Sequence, residues 1–279
     1  MNINDQPFTR VGFVVAWWLL FPHSDTQSNM AAVGSVVNTL TSLWRQQCAR
    51  TCLPHLFVCI SFTGSILKET GLVTESYFSN SKNVLNLYFV KVSWGWTIVL
   101  LLPFISYSNL YNRSYTFVLR RLTSLLVATL IWYTCTWAFF YIEDITGSCY
   151  ESDTKQVIFG DITTKAACRK EGFIWEGFDI SGHSFILAYS SLVIVEEMVP
   201  MLHIPQSYRK IFLDCLYIAL NAIVAIWIWM FLCTSVYFHD FIDKVLGTLC
   251  GILGWYLTYV FWYPMPFSPG LPPQQKQHA

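Results

Sequence analysis

The sequence places a histidine where a polar turn becomes an apolar helix. Ser181, Gly182 and His183 end a polar stretch and lead directly into a long apolar run. Backbone N–H groups at the start of a helix point outward and favour an anion, and glycine lets a phosphate approach the backbone closely. A histidine at this position can protonate a departing phosphate oxygen. We therefore expect Ser181 and Gly182 to bind phosphate and His183 to act as general acid.

A second histidine, His239, stands at the end of the next apolar run. Asp243 follows four residues later, which puts both side chains on one helical face if the helix has begun there. A carboxylate that holds one ring nitrogen leaves the other free to attack phosphorus. Asp240 is an alternative orienting acid, and Asp243 can instead pair with Lys244. The alternative for either histidine is a structural residue at the membrane interface with a satisfied hydrogen bond.

The composition limits the class of protein. Of the 279 residues, 54% are apolar and only 12% are charged, whereas soluble domains carry about 25% charged residues. The net charge is zero, so the chain lacks the basic footprint of a nucleic-acid-binding protein. Long apolar blocks separated by charged patches are typical of a multi-span helical membrane protein.

These apolar blocks predict an all-α fold with six membrane-spanning helices, since about 20 residues cross a bilayer. The predicted spans are about Leu53–Leu67, Leu87–Tyr107, Leu122–Ile142, Phe185–Val199, Phe212–Val236 and Val245–Tyr263. The first and fourth are shorter than a standard span. Residues 1–29 are predicted to be an N-terminal extension, 30–263 the membrane domain, and 264–279 a proline-rich cytosolic tail.

Basic residues in the short loops predict the orientation. They precede the first span or connect even-numbered spans to the following ones, at Arg45, Arg50, Arg113, Arg120, Arg121, Arg209 and Lys210. The positive-inside rule places these loops and both termini in the cytosol. His183 and His239 then fall together on the opposite face. The glycosylation sequon at Asn112 falls on the cytosolic side and is predicted to stay unmodified.

The nine cysteines divide by their surroundings. Cys149 and Cys168 share one polar loop on the non-cytosolic side, where the environment is oxidising, so we expect a disulfide between them. In the chain-entropy model, closing such a loop contributes roughly 3 kcal/mol. Five other cysteines lie in apolar blocks and are typical core residues. No Cys/His spacing matches a structural zinc site, and we expect neither a metal nor a cofactor.

The chain closely resembles the fat storage-inducing transmembrane family of the endoplasmic reticulum, and its type-two branch in particular. The matching stretches are Glu75–Asn80, Asn83–Val92, Leu119–Leu122, Thr146–Tyr150, GFDISGHSF from Gly177, FLCTSVYFH from Phe231 and FSPGLPPQ from Phe267. They are collinear and cover nearly all of residues 53–273. The resemblance implies six spans, kinship with lipid phosphate phosphatases, and lumenal cleavage of the diphosphate of fatty acyl-CoA. It assigns the two catalytic histidines to His183 and His239.

The chain departs from the wider phosphatase superfamily at the phosphate-binding positions. Ile180 replaces the proline of the acid motif, and Leu232 and Cys233 occupy the positions of a Ser-Arg pair before the nucleophile. Asp243 matches the superfamily's acidic orienting residue. Because arginine is the bidentate phosphate binder, another cation must meet the substrate's charge. The candidates are Lys244, Arg169, Lys170 and Lys91.

The resemblance therefore implies an endoplasmic reticulum hydrolase that acts on fatty acyl-CoA and supports lipid droplet formation. The resemblance also implies binding of diacylglycerol and triacylglycerol, and a non-catalytic lipid binder is the first alternative. Such a protein would tolerate loss of either histidine. A transporter is a second alternative, but the sequence has no internal repeat of the kind that transporters show. Glu196 and Glu197 are interpreted as structural, or as part of a second surface.

Overall fold

The computed structural model describes residues 26–110, 114–151 and 164–273. Most of residues 1–29, Asn112, and the end of the predicted tail therefore lie outside the described residues. The six predicted spans are confirmed as helices long and apolar enough to cross a membrane: Ala49–Glu69, Val84–Leu110, Tyr115–Thr146, Gly182–Leu202, Ile211–Tyr237 and Phe241–Trp262. Helices satisfy every backbone hydrogen bond within the segment, which the bilayer interior requires.

An additional helix that the sequence analysis did not predict precedes the first span. This helix, α1 (Thr26–Arg45), continues across the boundary predicted after residue 29, and α2 (Gln47–Glu69) follows it directly. The indole of Trp44 donates a hydrogen bond of 2.6 Å to Asn221 Oδ1 inside the fifth span. This contact satisfies a polar side chain within the span and packs α1 against the membrane domain.

A short folded segment joins α2 to the second span. Two 3₁₀ turns, Tyr77–Ser79 and Val90–Val92, flank the short helix α3 (Val84–Tyr88), and α4 (Ser93–Leu110) completes the span. Asn83 caps α3, because its side chain accepts a hydrogen bond of 2.8 Å from the backbone N–H of Asn86. The segment ends by bringing Lys91 to the mouth of the membrane domain.

A small disulfide-linked module follows the third span, α5 (Tyr115–Thr146). It consists of strand β1 (Ser148–Tyr150), helix α6 (Lys165–Lys170) and strand β2 (Ile174–Glu176), with the two strands antiparallel. Cys149 and Cys168 are joined by a disulfide and are buried with Trp175. The module therefore has its own small core beside the end of α5.

Helix α7 (Gly182–Glu197) is the centre of the bundle. In the span that this helix begins, 89% of the 18 most apolar consecutive residues are buried inside the protein. It packs closely against α9 (Phe241–Trp255), which follows α8 (Ile211–Tyr237) and continues as a π-helix over Tyr256–Trp262. A Cβ on Gly251 would lie 2.8 Å from Phe185 O. Small residues at this interface let the two backbones approach as neighbouring membrane helices.

A buried ion pair lies at the C-terminal end of α7. Arg121 and Glu197 are almost fully buried, and the guanidinium meets both carboxylate oxygens at 2.5 and 2.7 Å. Glu197 also accepts from Tyr259 at 2.5 Å. Arg121 donates to the carbonyl of Gly270, so the described part of the proline-rich tail folds back on α5. These contacts give Glu197 a structural role.

Candidate active site

Both predicted catalytic histidines line one cavity of about 860 Å³ between the ends of α4, α5 and α7. The polar side carries Lys91, Asp179, Gly182, His183 and His239. The wall toward the membrane interior is formed by aromatic and aliphatic side chains, among them Trp94, Trp132, Phe139, Phe140 and Ile186. The cavity thus joins titratable groups to an apolar groove.

Ser181 positions His183 by capping α7. Its hydroxyl accepts a hydrogen bond of 3.2 Å from the backbone N–H of Ser184, and its own backbone N–H donates to Asp243 O at 3.1 Å. The side chain is fully buried and is absent from the cavity lining. The hydroxyl therefore caps the start of α7, and the structure does not place it in the lining of the cavity. Its role as a phosphate ligand stays a prediction.

Gly182 lies where the sequence analysis placed it, at the first turn of α7 and in the cavity wall. A Cβ built on it would meet no protein atom within 4 Å. The backbone is thus open to a ligand at the N-terminal end of the helix, where N–H groups and the helix dipole favour an anion. This arrangement suits a phosphate next to His183.

The acid that contacts His239 is Asp179, which the sequence analysis did not single out. Asp179 Oδ2 lies 3.3 Å from Nδ1 of His239. This hydrogen bond, helped by the charges of His239 and Lys165, holds the pKa of Asp179 below its usual range, although partial burial opposes the shift. An ionised carboxylate at Nδ1 favours the tautomer that leaves Nε2 free as a nucleophile.

The structure does not place Asp243 or Lys244 in the lining of the cavity that holds the histidines, and their sequence-based roles stay predictions. Asp243 lines a second, adjacent pocket with Glu69 and Asp240. Lys244 is fully buried and donates 2.8 Å to the carbonyl of Ser235 in the last turn of α8. The physical reason is that α9 turns this face toward α2 and α8, so neither side chain lines the cavity that holds the histidines.

Lys91 supplies the positive charge of the cavity. Among the described lining residues, it is the one with a lysine or arginine side chain. Glu143 also lines the cavity, but its carboxylate is paired with Lys165 at 2.8 Å. Arg169 and Lys170 are exposed on α6 and are not part of the lining. Of the four cations proposed from the sequence, Lys91 is the one that lines the cavity with both histidines.

The disulfide module places Asp179. Strand β2 leads into Gly177, whose backbone packs against the carbonyl of Glu143 so closely that a Cβ would clash. The N–H of Phe178 then donates 2.9 Å to the hydroxyl of Thr146 at the end of α5. These contacts fix the backbone of Gly177 and Phe178, the two residues that precede Asp179. A sequence signal for it exists, because an acid stands in the same polar turn as His183.

The fold and the site together define a class of protein: a six-span helical membrane protein with a histidine pair, a carboxylate and a lysine around one cavity at a membrane face. The chain belongs to the fat storage-inducing transmembrane family, whose model matches residues 74–217 and 205–259. The family match covers the cavity, both histidines and the disulfide module.

Named relatives match over most of their length. A Danio rerio protein named acyl-coenzyme A diphosphatase FITM2 is 74% identical over 249 residues, which cover 89% of this chain and 99% of the relative. Proteins of the same name from Mus musculus and Homo sapiens are 52% and 51% identical, covering 80% and 81% of this chain and 86% and 87% of the relatives. No solved structure matches the chain.

Proposed function

We propose that this protein is an endoplasmic reticulum hydrolase that cleaves the diphosphate of fatty acyl-CoA. The products are an acyl-phosphopantetheine and adenosine 3′,5′-bisphosphate. The observation that carries the proposal is the 3.3 Å contact between Asp179 Oδ2 and His239 Nδ1 in the cavity that also holds His183. The names of the relatives, acyl-coenzyme A diphosphatase, agree with this chemistry.

The reaction proceeds in two displacements on phosphorus. Nε2 of His239 attacks one phosphorus of the anhydride, so a P–N bond forms as the bridging P–O bond breaks. His183 donates a proton to the departing phosphate oxygen and then accepts one from water. The activated water attacks the phosphohistidine, breaks the P–N bond and restores His239. Asp179 stays ionised and stabilises the ring as it becomes positive. No metal or cofactor takes part in this scheme.

The cavity accounts for an amphipathic substrate. The apolar wall from α4, α5 and α7 accepts the acyl chain from the membrane side. The diphosphate then lies between the start of α7 and Lys91, which supplies charge that the superfamily draws from arginine. A lysine meets phosphate as a point charge rather than as a bidentate fork, so we expect weaker orientation of the phosphate than in the superfamily.

The test is hydrolysis of oleoyl-CoA by the purified protein in detergent, with both products identified by mass spectrometry. His239→Ala is measured beside it and should lose activity by several orders of magnitude, because the covalent route is gone. His203→Ala is the matched control and should keep full activity, because His203 follows the end of the fourth span that is opposite His183. Full activity in a folded His239→Ala variant would refute the assignment.

Two further variants separate phosphate binding from chemistry. Lys91→Met should raise KM for oleoyl-CoA by about tenfold, since a charged hydrogen bond contributes roughly 1.5–3 kcal/mol. Gly182→Ala should also raise KM, because its Cβ would project into the space assigned to phosphate, where it meets no protein atom. Unchanged KM in both variants would place the diphosphate elsewhere.

We further propose that the active site faces the lumen and that both termini are cytosolic. The support is the distribution of Arg and Lys over the short loops. Asn112 should stay unmodified, and Asp161→Asn, which completes an Asn-Ile-Thr acceptor sequence in the loop on the site's side, should be glycosylated. An endoglycosidase-sensitive shift at Asn112 instead would invert the orientation.

Binding of diacylglycerol and triacylglycerol, and support of lipid droplet formation, belong to the same proposal. The apolar wall of the cavity supports them, because it offers aromatic surface to a lipid chain. A purely lipid-binding role predicts that His239→Ala still binds labelled triacylglycerol and still restores droplets in deficient cells. Loss of droplets in a variant that binds lipid normally would tie their formation to hydrolysis. No protein partner is assigned.

A further inference from the structure

The backbone at His239 is strained. Its φ is +48°, in the left-handed region that residues other than glycine seldom adopt, although histidine is among the more tolerant. Such conformations persist where surrounding contacts fix them, and they gather at functional sites. Two described residues other than glycine have a positive φ, Phe267 and His239. His239 is the proposed nucleophile and lies in the short turn between α8 and α9.

Lys68 holds one side of this turn. It reaches from the last turn of α2, and its Nζ donates 2.5 Å to the backbone carbonyl of His239. The same ammonium lies 3.3 Å from Oδ1 of Asp240. Lys68 is part of neither described pocket lining. Its charge is therefore directed at the main chain of the nucleophile rather than at substrate.

Lys244 holds the other side. Its Nζ donates 2.8 Å to the carbonyl of Ser235, in the last turn of α8. Carbonyls at a helix end lack helical partners, and a cation there is favourable. Lys244 is fully buried in the first turn of α9, where a membrane span begins, and a buried ammonium needs a polar partner. The two lysines thus bind carbonyls four residues apart, at the end of α8 and at His239 itself.

We propose that Lys68 and Lys244 form a lysine clamp that sets the backbone of His239 and so aims its ring at Asp179 and the cavity. Both are positioning residues, and neither contacts substrate. The inference rests on the proposed function, in which His239 is the nucleophile. It also reassigns Lys244, which the sequence alone had favoured as a phosphate ligand.

The clamp predicts a specific kinetic pattern. Lys68→Met should lower kcat by about 10- to 100-fold, since small misplacements of a reacting group have effects of this size. KM for oleoyl-CoA should stay within about twofold, in contrast to Lys91→Met. Lys68→Arg should recover most of kcat. Lys82→Met, a change at an exposed lysine of the segment before α3, is the matched control and should leave both constants unchanged.

Hydrogen exchange gives a readout that does not depend on catalysis. In Lys68→Met, amides of residues 236–244 should exchange faster, while those of α7 should keep their rates. Lys68→Gln keeps a neutral donor on a shorter side chain and should be intermediate, so the test survives if Lys68→Met fails to fold. Lys244→Met should speed exchange at the end of α8 in the same way.

The outcomes are distinguishable. Unchanged kcat and unchanged exchange in Lys68→Met would overturn the clamp and leave the proposed function intact. A raised KM with unchanged kcat would make Lys68 a substrate ligand and also overturn it. Should the unaltered protein fail to cleave oleoyl-CoA, the proposed function falls, and faster exchange confined to residues 236–244 would still support the clamp.

Discussion

The carboxylate of Asp179 lies 3.3 Å from Nδ1 of His239, although Asp179 lies between the disulfide module and α7 and His239 lies in the turn between α8 and α9. This pairing joins the segment before α7 to the segment before α9. Asp179 thus orients the ring of the proposed nucleophile. It stands four residues before His183, the proposed general acid.

Asp179→Asn should impair catalysis more than Asp243→Asn. The amide cannot stabilise a positively charged ring and no longer selects its tautomer, so we expect a loss in kcat of at least about tenfold; a comparable change in a Ser-His-Asp triad has a far larger effect. Asp243→Asn should stay within about threefold, because Asp243 contacts the site through its backbone carbonyl. Purified variants are compared by oleoyl-CoA hydrolysis, and the reverse order would restore the sequence-based assignment.

The pH dependence of the reaction should not report Asp179. The hydrogen bond from His239 lowers the pKa of this carboxyl from an ordinary value of about 4, so the group is ionised above that pH and is protonated only as the pH falls through its lowered pKa. Loss of rate between pH 7 and 5 must then come from other groups. Asp179→Asn should keep a falling acid limb in its kcat profile, and disappearance of that limb would contradict this.

The two histidines should act as a unit. His183→Ala should lower the rate by about 10²- to 10⁴-fold, the usual contribution of general acid–base catalysis. The double variant His183→Ala/His239→Ala should be scarcely slower than His239→Ala alone, because His183 assists a step that the loss of His239 has already abolished. Rates of purified, folded variants decide this. Losses that multiply would indicate two independent roles.

The disulfide should matter to catalysis through Asp179. Cys149→Ser/Cys168→Ser removes the bond that closes the module, and we expect a lower kcat together with a lower unfolding temperature, since such bonds typically contribute about 2–4 kcal/mol. Cys135→Ser, within the third span, is the matched control. Peptide mapping under non-reducing conditions should find the first two cysteines linked. Free thiols at both positions in freshly isolated membranes would count against the module and the lumenal orientation.

The buried ion pair of Arg121 and Glu197 should affect the stability of the protein rather than its catalytic rate. Arg121→Met leaves Glu197 buried without its partner, and loss of one partner of a buried pair is destabilising by about 3–5 kcal/mol. Arg121→Met/Glu197→Leu should recover part of the thermal stability, while the partly exposed pair of Arg50 and Glu196 should tolerate Arg50→Met far better. Thermal unfolding in detergent measures all three. Equal effects at the two pairs would contradict the structural assignment.

The membrane architecture could be predicted from the sequence alone. Each span was predictable because the hydropathy of about 20 consecutive residues is a local sum that needs no knowledge of neighbours. The placement of His183 and His239 at one face followed as well, since successive spans must alternate in direction. Gly182 at the start of α7 was predictable for the same reason, as part of a contiguous turn-to-helix pattern.

Which side chains come into contact depends on the tertiary structure. The choice of Asp179 over Asp243, the turning of Lys244 away from the cavity, and the reach of Lys68 to His239 depend on how each helix is rotated and displaced in the membrane plane. Those variables are set by close contacts between elements distant in sequence, such as Gly251 against Phe185 and Gly177 against Glu143. Periodicity fixes the face of a helix, but it carries no information on which neighbour covers that face.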